Sequence, residues 1–367
     1  NYPTGLFAKP MEEIVRIHAS SGTTGKPKIA GYTRNDLEMW GECVARAMAS
    51  AGQDSKSVIQ VAYGYGLFTG GLGAHIGAET IGATVLPMSS GNTKKQIMFM
   101  QDMGTTLLVA TPSYALHLGE EIRARGLDPA KDLKVRIGLF GGEGMTEPMR
   151  DEMHKVWGDQ FFCTQNYGMS ELCGPGVAGE CEALQGMHIN EDWFIPEVID
   201  PKTGEVLPPG ERGELVVTCL GKEALPLVRY RTGDMTRLFY EPCSCGRTTV
   251  RMENLSGRAD DMLVIRGVNV FPTQIEEVLL QIPEIGPHYE ILVERKNRLD
   301  VMTITVELVD DRLLDSYSKL SELEQKIKKG LKAQLGLATQ IKLVAPYSLQ
   351  RFEGKAKRVT DLRKDGL

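Results

Sequence analysis

The chain has 367 residues, of which 42% are hydrophobic and 25% are charged, and its formal net charge is −6. This length exceeds what one hydrophobic core usually organises, so we expect two or three domains with the composition of a soluble globular protein. The sequence has no run of about eighteen apolar residues, which argues against a membrane span, and its pI near 5.7 argues against a dedicated nucleic-acid-binding protein.

The cysteines and the first residues of the chain bear on its compartment. Seven mostly scattered cysteines, an odd number, suit a reducing compartment better than a disulfide framework. The chain opens Asn1-Tyr2-Pro3, with neither a methionine nor a charged-then-apolar signal segment. We therefore expect a cytoplasmic protein, and a start without methionine fits a chain whose first segment is missing.

The first two thirds of the chain alternate between short apolar or β-branched runs and helix-like stretches. Because strand, helix and strand follow one another, this pattern predicts parallel sheets covered by helices. The predicted strands are 14–19, 57–62, 84–88, 106–110 and 135–140, and the predicted helices are 36–51, 94–103 and 113–125.

The predicted secondary structure changes twice in the last part of the chain. Turn signals between strand-like pieces, including 213–219, predict a small antiparallel subdomain over about 195–239. After 257–261 the chain starts again, with predicted strands 262–265, 289–293 and 302–308 and predicted helices 273–281 and 316–334. The predicted fold is thus α/β, with a large N-terminal domain over 1–259 and a smaller, mobile α+β C-terminal domain over 260–367, joined at Asp260.

A loop rich in glycine and hydroxyl residues follows the first predicted strand directly. Glycines let the backbone fold tightly and expose N–H groups, while hydroxyl and ammonium groups complement phosphate oxygens. A polar surface loop is the alternative, but six consecutive small or hydroxyl residues closed by Lys-Pro-Lys favour phosphate binding. The candidate residues are Ser20, Ser21, Gly22, Thr23, Thr24, Gly25 and Lys26.

This loop resembles that of the acyl-adenylate-forming enzymes, which include acyl-coenzyme A synthetases, peptide-synthetase adenylation domains and firefly luciferase. Residues 167–171 resemble the family's aromatic-Gly-x-Ser/Thr-Glu motif. The resemblance implies that Tyr167 and Gly168 contact the nucleotide, that Ser170 contacts phosphate and that Glu171 holds Mg²⁺. A magnesium ion bound through one carboxylate plus substrate phosphates is physically reasonable.

Two further segments resemble the family's nucleotide contacts, in the family's order. Residues 230–234 match the motif whose aspartate, here Asp234, accepts hydrogen bonds from the ribose hydroxyls. Residues 140–143 match the loop that packs on adenine, which implies contacts from Gly141, Gly142 and Glu143. Read in isolation, either segment would be an ordinary turn.

The resemblance also covers the C-terminal third. Residues 257–272 resemble the hinge motif, in which Arg258 would approach ribose or phosphate and Asp260 would absorb the rotation between two domain orientations. Residues 354–358 resemble the motif that carries the catalytic lysine, which stabilises the charge that builds up as pyrophosphate leaves. The Gly-Lys register favours Lys355 for this role over Lys357.

Within the family, the chain resembles bacterial phenylacetate–coenzyme A ligases in residues 62–71, 111–114 and 261–272. An aromatic, glycine-flanked slot suits a phenyl group, because stacking adds about 0.5–1.5 kcal/mol to burial. The candidate pocket residues are Tyr63, Tyr65 and Phe68, with Tyr65 favoured as the residue that limits the slot. For Phe68, simple core packing is an equal alternative.

Four residues outside these motifs form a candidate structural zinc site. Cys243 and Cys245 lie in a Pro- and Gly-flanked turn that can present two thiolates to one ion. Cys181 and His188 could complete a tetrahedral Cys₃His set. The alternative is that these cysteines are merely reduced, half-buried side chains.

Taken together, the motifs predict ATP-dependent ligation of an aryl-acetic acid to coenzyme A, with phenylacetate as the leading acid. Acyl transfer to a carrier protein, a catalytically inactive nucleotide-binding regulator and luciferase-type oxygen chemistry are the alternatives. The expected cofactors and substrates are ATP/AMP, coenzyme A and Mg²⁺, with zinc at the cysteine–histidine set. The sequence leaves the acid and the oligomeric state open, a homodimer included.

Overall fold

A computed structural model gives the structure of residues 2–20, 26–255, 257, 262–266, 268–296 and 299–363. The phosphate-loop residues 21–25 and the hinge-motif residues Arg258 and Asp260 lie outside the described residues, so what we predict of them stays a prediction. In the described part of the chain, no helix is long and apolar enough to cross a membrane.

The five predicted helices begin and end within a few residues of the predicted positions, and three further helices, at Thr69–Thr80, Pro129–Asp132 and Glu147–Trp157, were not predicted. The first begins earlier than predicted because Thr33 and Asp36 form a reciprocal capping box, in which each side chain accepts a hydrogen bond from the other's backbone N–H. The helices are α1 (Arg34–Ser50), α2 (Thr69–Thr80), α3 (Thr93–Asp102), α4 (Pro112–Ala124), α5 (Pro129–Asp132), α6 (Glu147–Trp157), α7 (Pro272–Leu279) and α8 (Tyr317–Leu335), with 3₁₀ turns at Met11–Glu13 and Asp311–Asp315.

The strands of the larger part of the chain form three sheets. They are β1 (Arg16–Ala19), β2 (Ile29–Tyr32), β3 (Val58–Val61), β4 (Thr84–Leu86), β5 (Leu107–Ala110), β6 (Ile137–Phe140), β7 (Phe162–Tyr167), β8 (Ala178–Glu180), β9 (Met187–Ile189), β10 (Phe194–Ile199), β11 (Gly213–Cys219), β12 (Tyr230–Thr236), β13 (Leu238–Phe239) and β14 (Arg251–Met252).

The central sheet has nine strands in the order β13-β14-β9-β8-β7-β6-β5-β3-β4. The strands from β4 to β7 pair in parallel, as the alternation of strands and helices predicted, and the strands from β7 to β13 pair antiparallel. Neighbouring residues of β5 point into different buried clusters: Leu107 and Val109 into one, Leu108 and Ala110 into the other. Because side chains alternate along a strand, the two clusters cover opposite faces of the sheet.

The predicted strand 14–19 pairs differently from the parallel arrangement we expected. It appears as β1, which pairs antiparallel with β2 in a separate two-stranded hairpin. The sequence interpretation missed β2, whose residues Ala30 and Tyr32 are fully buried. Because the chain returns directly after a short loop, the two strands run in opposite directions. The candidate phosphate-binding residues 21–25 therefore connect the two strands of this hairpin in sequence.

The predicted antiparallel subdomain is confirmed as the sheet β10-β11-β12. The remainder of the chain contains β15 (Leu263–Ile265), β16 (Val268–Val270), β17 (Ile285–Lys296), β18 (Leu299–Leu308), β19 (Gln340–Val344) and β20 (Val359–Asp361). Its four-stranded sheet has the order β19-β18-β17-β20, and a buried cluster of its own packs α7 and α8 against it. The boundary between residues 259 and 260 stays a prediction.

Candidate active site

The base of the candidate phosphate loop is closed by two hydrogen bonds between Ser20 and Lys28. The Ser20 backbone N–H donates to the Lys28 carbonyl at 2.9 Å, and the Lys28 backbone N–H donates to Ser20 Oγ at 3.0 Å. Lys26, the last predicted phosphate ligand, has an exposed side chain whose Nζ lies 5.1 Å from the centre of the Tyr2 ring. The hairpin thus brings the two ends of residues 21–25 together.

Glu171, the predicted magnesium ligand, is buried and lies in a polar cluster with the partly buried Tyr230 and the exposed Lys28. Its Oε1 accepts a hydrogen bond from the Tyr230 hydroxyl at 2.9 Å and lies 3.3 Å from Lys28 Nζ. Lys28 Nζ also donates to the Tyr230 hydroxyl at 2.8 Å. Burial by itself lowers the pKa of Lys28, but the contacts with Tyr230 and Glu171 raise this pKa above its ordinary value. Phosphate loop, Glu171 motif and Asp234 motif therefore meet at this cluster.

Two buried side chains hold the backbone around Glu171. The Tyr32 hydroxyl donates to the Ser170 carbonyl at 2.6 Å, and Lys222 Nζ donates to the carbonyls of Glu171 and Leu172, both at 2.9 Å. Lys222 Nζ also lies 3.8 Å from the centre of the Tyr32 ring, and burial lowers the pKa of Lys222. The sequence interpretation gave neither residue a role, because an isolated lysine between two strands carries no motif.

Ser170 and Asp234 are both buried and both belong to hydrogen-bonded pairs. The Tyr167 hydroxyl donates to Asp234 Oδ2 at 2.6 Å, and Ser170 Oγ lies 3.5 Å from Thr69 Oγ1. A Cβ at Gly168 would lie 2.1 Å from the Cys173 carbonyl, so the tight turn after β7 requires glycine there. The structure thereby brings the predicted ribose ligand Asp234 next to the predicted phosphate motif.

The predicted adenine loop begins at the end of β6. The Tyr63 hydroxyl donates to the Gly141 carbonyl at 3.0 Å, and burial raises the pKa of Tyr63. A Cβ at Gly141 would lie 2.6 Å from the Asn166 carbonyl, so the loop approaches β7 as closely as only glycine permits. Gly142 has a φ of 77°, in the left-handed region that favours glycine.

Glu143 contacts the loop that carries the candidate catalytic lysine. Its Oε2 accepts hydrogen bonds from the Ser113 hydroxyl at 2.7 Å and the Ser113 backbone N–H at 3.2 Å, and its Oε1 accepts one from the Ala356 backbone N–H. On the other side of Lys355, Thr111 Oγ1 donates to the Gly354 carbonyl at 3.1 Å. The backbone on both sides of Lys355 is thus fixed to the N-terminal part of the chain.

Further hydrogen bonds join the C-terminal part of the chain to α4. Arg358, which is held by Glu276 within the C-terminal part, donates to the Ser113 hydroxyl of α4 at 3.3 Å. Glu120, on α4, accepts a hydrogen bond from His288 Nε2 at 3.0 Å. The sequence interpretation missed this set of contacts because the partners lie more than a hundred residues apart in sequence.

The contact between Glu143 and Ala356 predicts the behaviour of a Glu143→Gln variant. Hydrogen bonds to a charged group contribute about 1.5–3 kcal/mol, so we expect acyl-adenylate formation to fall by about 10- to 100-fold. Thioester formation from supplied acyl-adenylate should change by less than about threefold, because we expect the contact to be broken before that step. The two half-reactions are measured separately by ATP–pyrophosphate exchange and by thioester release.

Ser113→Ala is the control for Glu143→Gln, since it removes one donor to Glu143 and the acceptor of Arg358 but leaves the Ala356 contact in place. We expect this variant to lower the rate of acyl-adenylate formation by less than about tenfold. Equal losses in both half-reactions of Glu143→Gln would contradict the assignment of Glu143 to this closure.

The three candidate pocket residues face different neighbours. Tyr63 and Phe68 form an edge-to-face pair with ring centres 6.3 Å apart, beside the loop at Gly141 and Gly142. Tyr65 turns towards α2, where its hydroxyl lies 3.2 Å from His75 Nδ1. Phe68 is 38% exposed, which does not fit the alternative of a simple core residue.

The four predicted zinc ligands also come together. One ligand atom from each of Cys181, His188, Cys243 and Cys245 lies within 4.8 Å of each of the others.

Comparisons with known proteins identify the family. Residues 7–219 match the model of the AMP-binding enzyme family, and residues 267–363 match the model of the AMP-binding enzyme C-terminal domain. The phenylacetate-coenzyme A ligase of Thermus thermophilus is 49% identical over 99% of this chain and 84% of its own length. That of Escherichia coli is 48% identical over 99% of this chain and 82% of its own length.

Solved structures extend the comparison to the arrangement of the two parts. A 2-hydroxyisobutyryl-CoA ligase in the postadenylation state, in complex with 2-HIB-AMP, matches 97% of this chain and 75% of its own with a TM-score of 0.89 at 28% identity. The same ligase in the thioesterification state, with 2-HIB-AMP and CoA, matches 97% of this chain and 76% of its own with a TM-score of only 0.66 at 29% identity. The arrangement of this chain is therefore more similar to that of the ligase in the postadenylation state than to that of the same ligase in the thioesterification state.

The family resemblance drawn from the motifs is confirmed by these comparisons. The relatives cover both parts of the chain, and the family models account for its larger part and its C-terminal part separately. The chain therefore belongs to the AMP-binding enzyme family and, within it, to the phenylacetate–coenzyme A ligases, which are acid–thiol ligases.

Proposed function

We propose that this chain joins phenylacetate to coenzyme A at the expense of ATP, through an acyl-adenylate, with release of AMP and pyrophosphate. The observation that carries the proposal is the closure of residues 354–356 onto Thr111 and Glu143. This closure holds the Lys355 loop beside the predicted adenine loop, which is where a charge that develops at the α-phosphate would need a cation.

The nucleotide contacts are proposed from the motifs and supported by their convergence. In this proposal Asp234 accepts hydrogen bonds from ribose, Gly141 and Gly142 pack on adenine, and Tyr167 orients Asp234. Backbone N–H groups of the hairpin loop, together with Ser170 and Arg258, bind phosphate oxygens. Lys28, the second lysine of the Lys-Pro-Lys that ends the loop motif, joins the phosphate-binding set through its contact with Glu171.

The proposed magnesium site uses Glu171 together with phosphate oxygens of ATP. A single buried carboxylate beside a phosphate-binding loop fits this ion, because Mg²⁺ is often held by one or two carboxylates plus substrate phosphates. When bound, the ion neutralises phosphate charge. A second metal, zinc, is proposed for Cys181, His188, Cys243 and Cys245.

In the first half-reaction of the proposed mechanism, the acid carboxylate attacks the α-phosphate and pyrophosphate leaves, while Lys355 stabilises the developing charge. In the second, the thiol of coenzyme A attacks the acyl carbon and AMP leaves. The backbone contacts at Gly354 and Ala356 must break before Lys355 can withdraw, and Asp260 is the proposed hinge for this movement. Closing the site before the anhydride forms also protects this anhydride from water.

A panel of carboxylic acids tests the proposed substrate. AMP release is measured with phenylacetate, 4-hydroxyphenylacetate, indoleacetate and benzoate, each with and without coenzyme A. We expect phenylacetate to give the highest kcat/KM and coenzyme A to be required for multiple turnovers. A higher kcat/KM for another acid would overturn the choice of phenylacetate, and transfer only to a carrier protein would overturn the acceptor.

The aryl slot gives a further prediction. Tyr65→Ala is expected to raise KM for phenylacetate about tenfold and to admit indoleacetate, because truncating a packed aromatic ring leaves room behind it. Tyr65→Phe keeps the ring, loses only the contact with His75, and should retain the wild-type acid preference. If Phe68→Ala changes the acid preference while Tyr65→Ala does not, the slot lies against Phe68 and the adenine loop instead.

A further inference from the structure

We propose that Cys181, His188, Cys243 and Cys245 bind one structural zinc ion that ties two loops at the edge of the central sheet. Cys181 directly follows β8, and His188 lies in β9. Cys243 and Cys245 lie in the long connection between β13 and β14. The proposal does not depend on the acid that the enzyme activates.

Two distances among the four ligand atoms match those of a tetrahedral site, and all four atoms lie within 4.8 Å of one another. The Sγ atoms of Cys181 and Cys243 are 3.8 Å apart, and Cys245 Sγ is 3.5 Å from His188 Nε2. With Zn–S of about 2.3 Å and Zn–N of about 2.0–2.1 Å, tetrahedral angles place two sulfurs about 3.8 Å apart and a sulfur and a nitrogen about 3.6 Å apart. The sulfurs of Cys181 and Cys243 are too far apart for a disulfide, which requires about 2.05 Å.

The histidine is oriented as a zinc ligand should be. His188 Nδ1 lies 2.9 Å from Thr249 Oγ1, and a proton on Nδ1 leaves the lone pair of Nε2 directed towards the sulfurs. Metal-bound histidines generally donate their other ring N–H to an oxygen in this way, which fixes both the tautomer and the ring orientation. His188 is 8% exposed, so the ring is held by its surroundings.

Cys181 and Cys243 each begin a tight turn. The Gly246 backbone N–H donates to the Cys243 carbonyl at 2.9 Å, and the Leu184 backbone N–H donates to the Cys181 carbonyl at 3.0 Å. These turns fix the backbone that carries two of the four proposed ligands.

Four protein ligands leave no open position for a substrate, so the site is structural and not catalytic. Its effect is on the fold, because Cys181 and Cys243 are 62 residues apart in sequence and one ion would close that long loop. The neighbouring Glu180 accepts a hydrogen bond from the Gln165 backbone N–H in β7 at 2.8 Å. The ion therefore restrains the sheet next to the strand that ends in Tyr167.

The direct test is the metal content of the full chain, purified without added metal and dialysed against a chelator. Elemental analysis is expected to give about one zinc per chain in the wild type and less than about a tenth in the double variant Cys243→Ser/Cys245→Ser. Cys219→Ser is the matched control, since Cys219 is buried outside the cluster, and it should retain the zinc. The double variant should also unfold at a lower temperature than this control.

A second measurement keeps the test decisive if the double variant does not fold. Wild-type protein is stripped with a thiol reagent, reduced again and titrated with Co²⁺, which should give the intense visible bands of a tetrahedral thiolate complex. Wild-type protein that lacks zinc and takes up no Co²⁺ would overturn the proposal. ATP–pyrophosphate exchange in the same preparations separates this outcome from a failure of the proposed ligase activity.

Discussion

Lys355→Ala is expected to slow acyl-adenylate formation by about 10²–10³-fold, the loss that typically follows removal of one group that stabilises transition-state charge. The physical reason is the fixed position of the loop, because Gly354 and Ala356 are both hydrogen-bonded to the N-terminal part of the chain. A lysine between two such contacts is held at the nucleotide side in this arrangement. ATP–pyrophosphate exchange in the presence of phenylacetate measures the loss.

Thioester formation from supplied phenylacetyl-adenylate should be nearly unchanged in Lys355→Ala, because in the proposed mechanism the lysine withdraws before this step. Lys357→Ala is the matched control: it removes a similarly exposed lysine two residues further on, outside the pair of contacts. We expect Lys357→Ala to lower the rate of either half-reaction by less than about threefold. A larger loss in Lys357→Ala than in Lys355→Ala would transfer the role to Lys357.

Much of the fold could be predicted because hydrophobic periodicity and turn residues act locally. The strands β3, β5 and β6 and the helices α1, α3 and α4 appear within two residues of their predicted ends. The glycine-rich helix α2 was missed because glycine is a poor helix former. Its glycines serve packing: a Cβ at Gly73 would lie 2.4 Å from Trp40, and one at Gly77 would lie 2.4 Å from Val44. Tertiary contact with α1 thus overrides local propensity.

The candidate site could be predicted only where one segment carries a whole motif. Glu171 and Asp234 were identified from the motifs around them, and the structure brings both next to partners that those motifs contain. Lys222 could not be identified in this way, because its role depends on carbonyl groups about fifty residues away. The closure at Glu143 was also missed, since a motif indicates which residues are present and not which loop they meet.

Glu171→Gln is the second variant with a large expected effect. The substitution keeps the size of the side chain and removes its charge, so the proposed magnesium site loses its protein carboxylate. We expect acyl-adenylate formation to fall by about 10²-fold and the Mg²⁺ concentration for half-maximal rate to rise by about tenfold. Titrating Mg²⁺ at saturating ATP and phenylacetate measures both changes.

The competing explanation is that Glu171 serves only as the counter-ion of Lys28, with which it is in contact at 3.3 Å. Tyr230→Phe separates the two roles, because it removes the hydroxyl that bonds both Glu171 and Lys28 and leaves the carboxylate in place. It should lower the rate by about 10- to 30-fold, because two hydrogen bonds of about 1 kcal/mol each are lost, without a change in Mg²⁺ dependence. If Glu171→Gln also keeps the wild-type Mg²⁺ dependence, the ion is not held by Glu171. The loss of activity would then come from an unpaired Lys28 beside the phosphate loop.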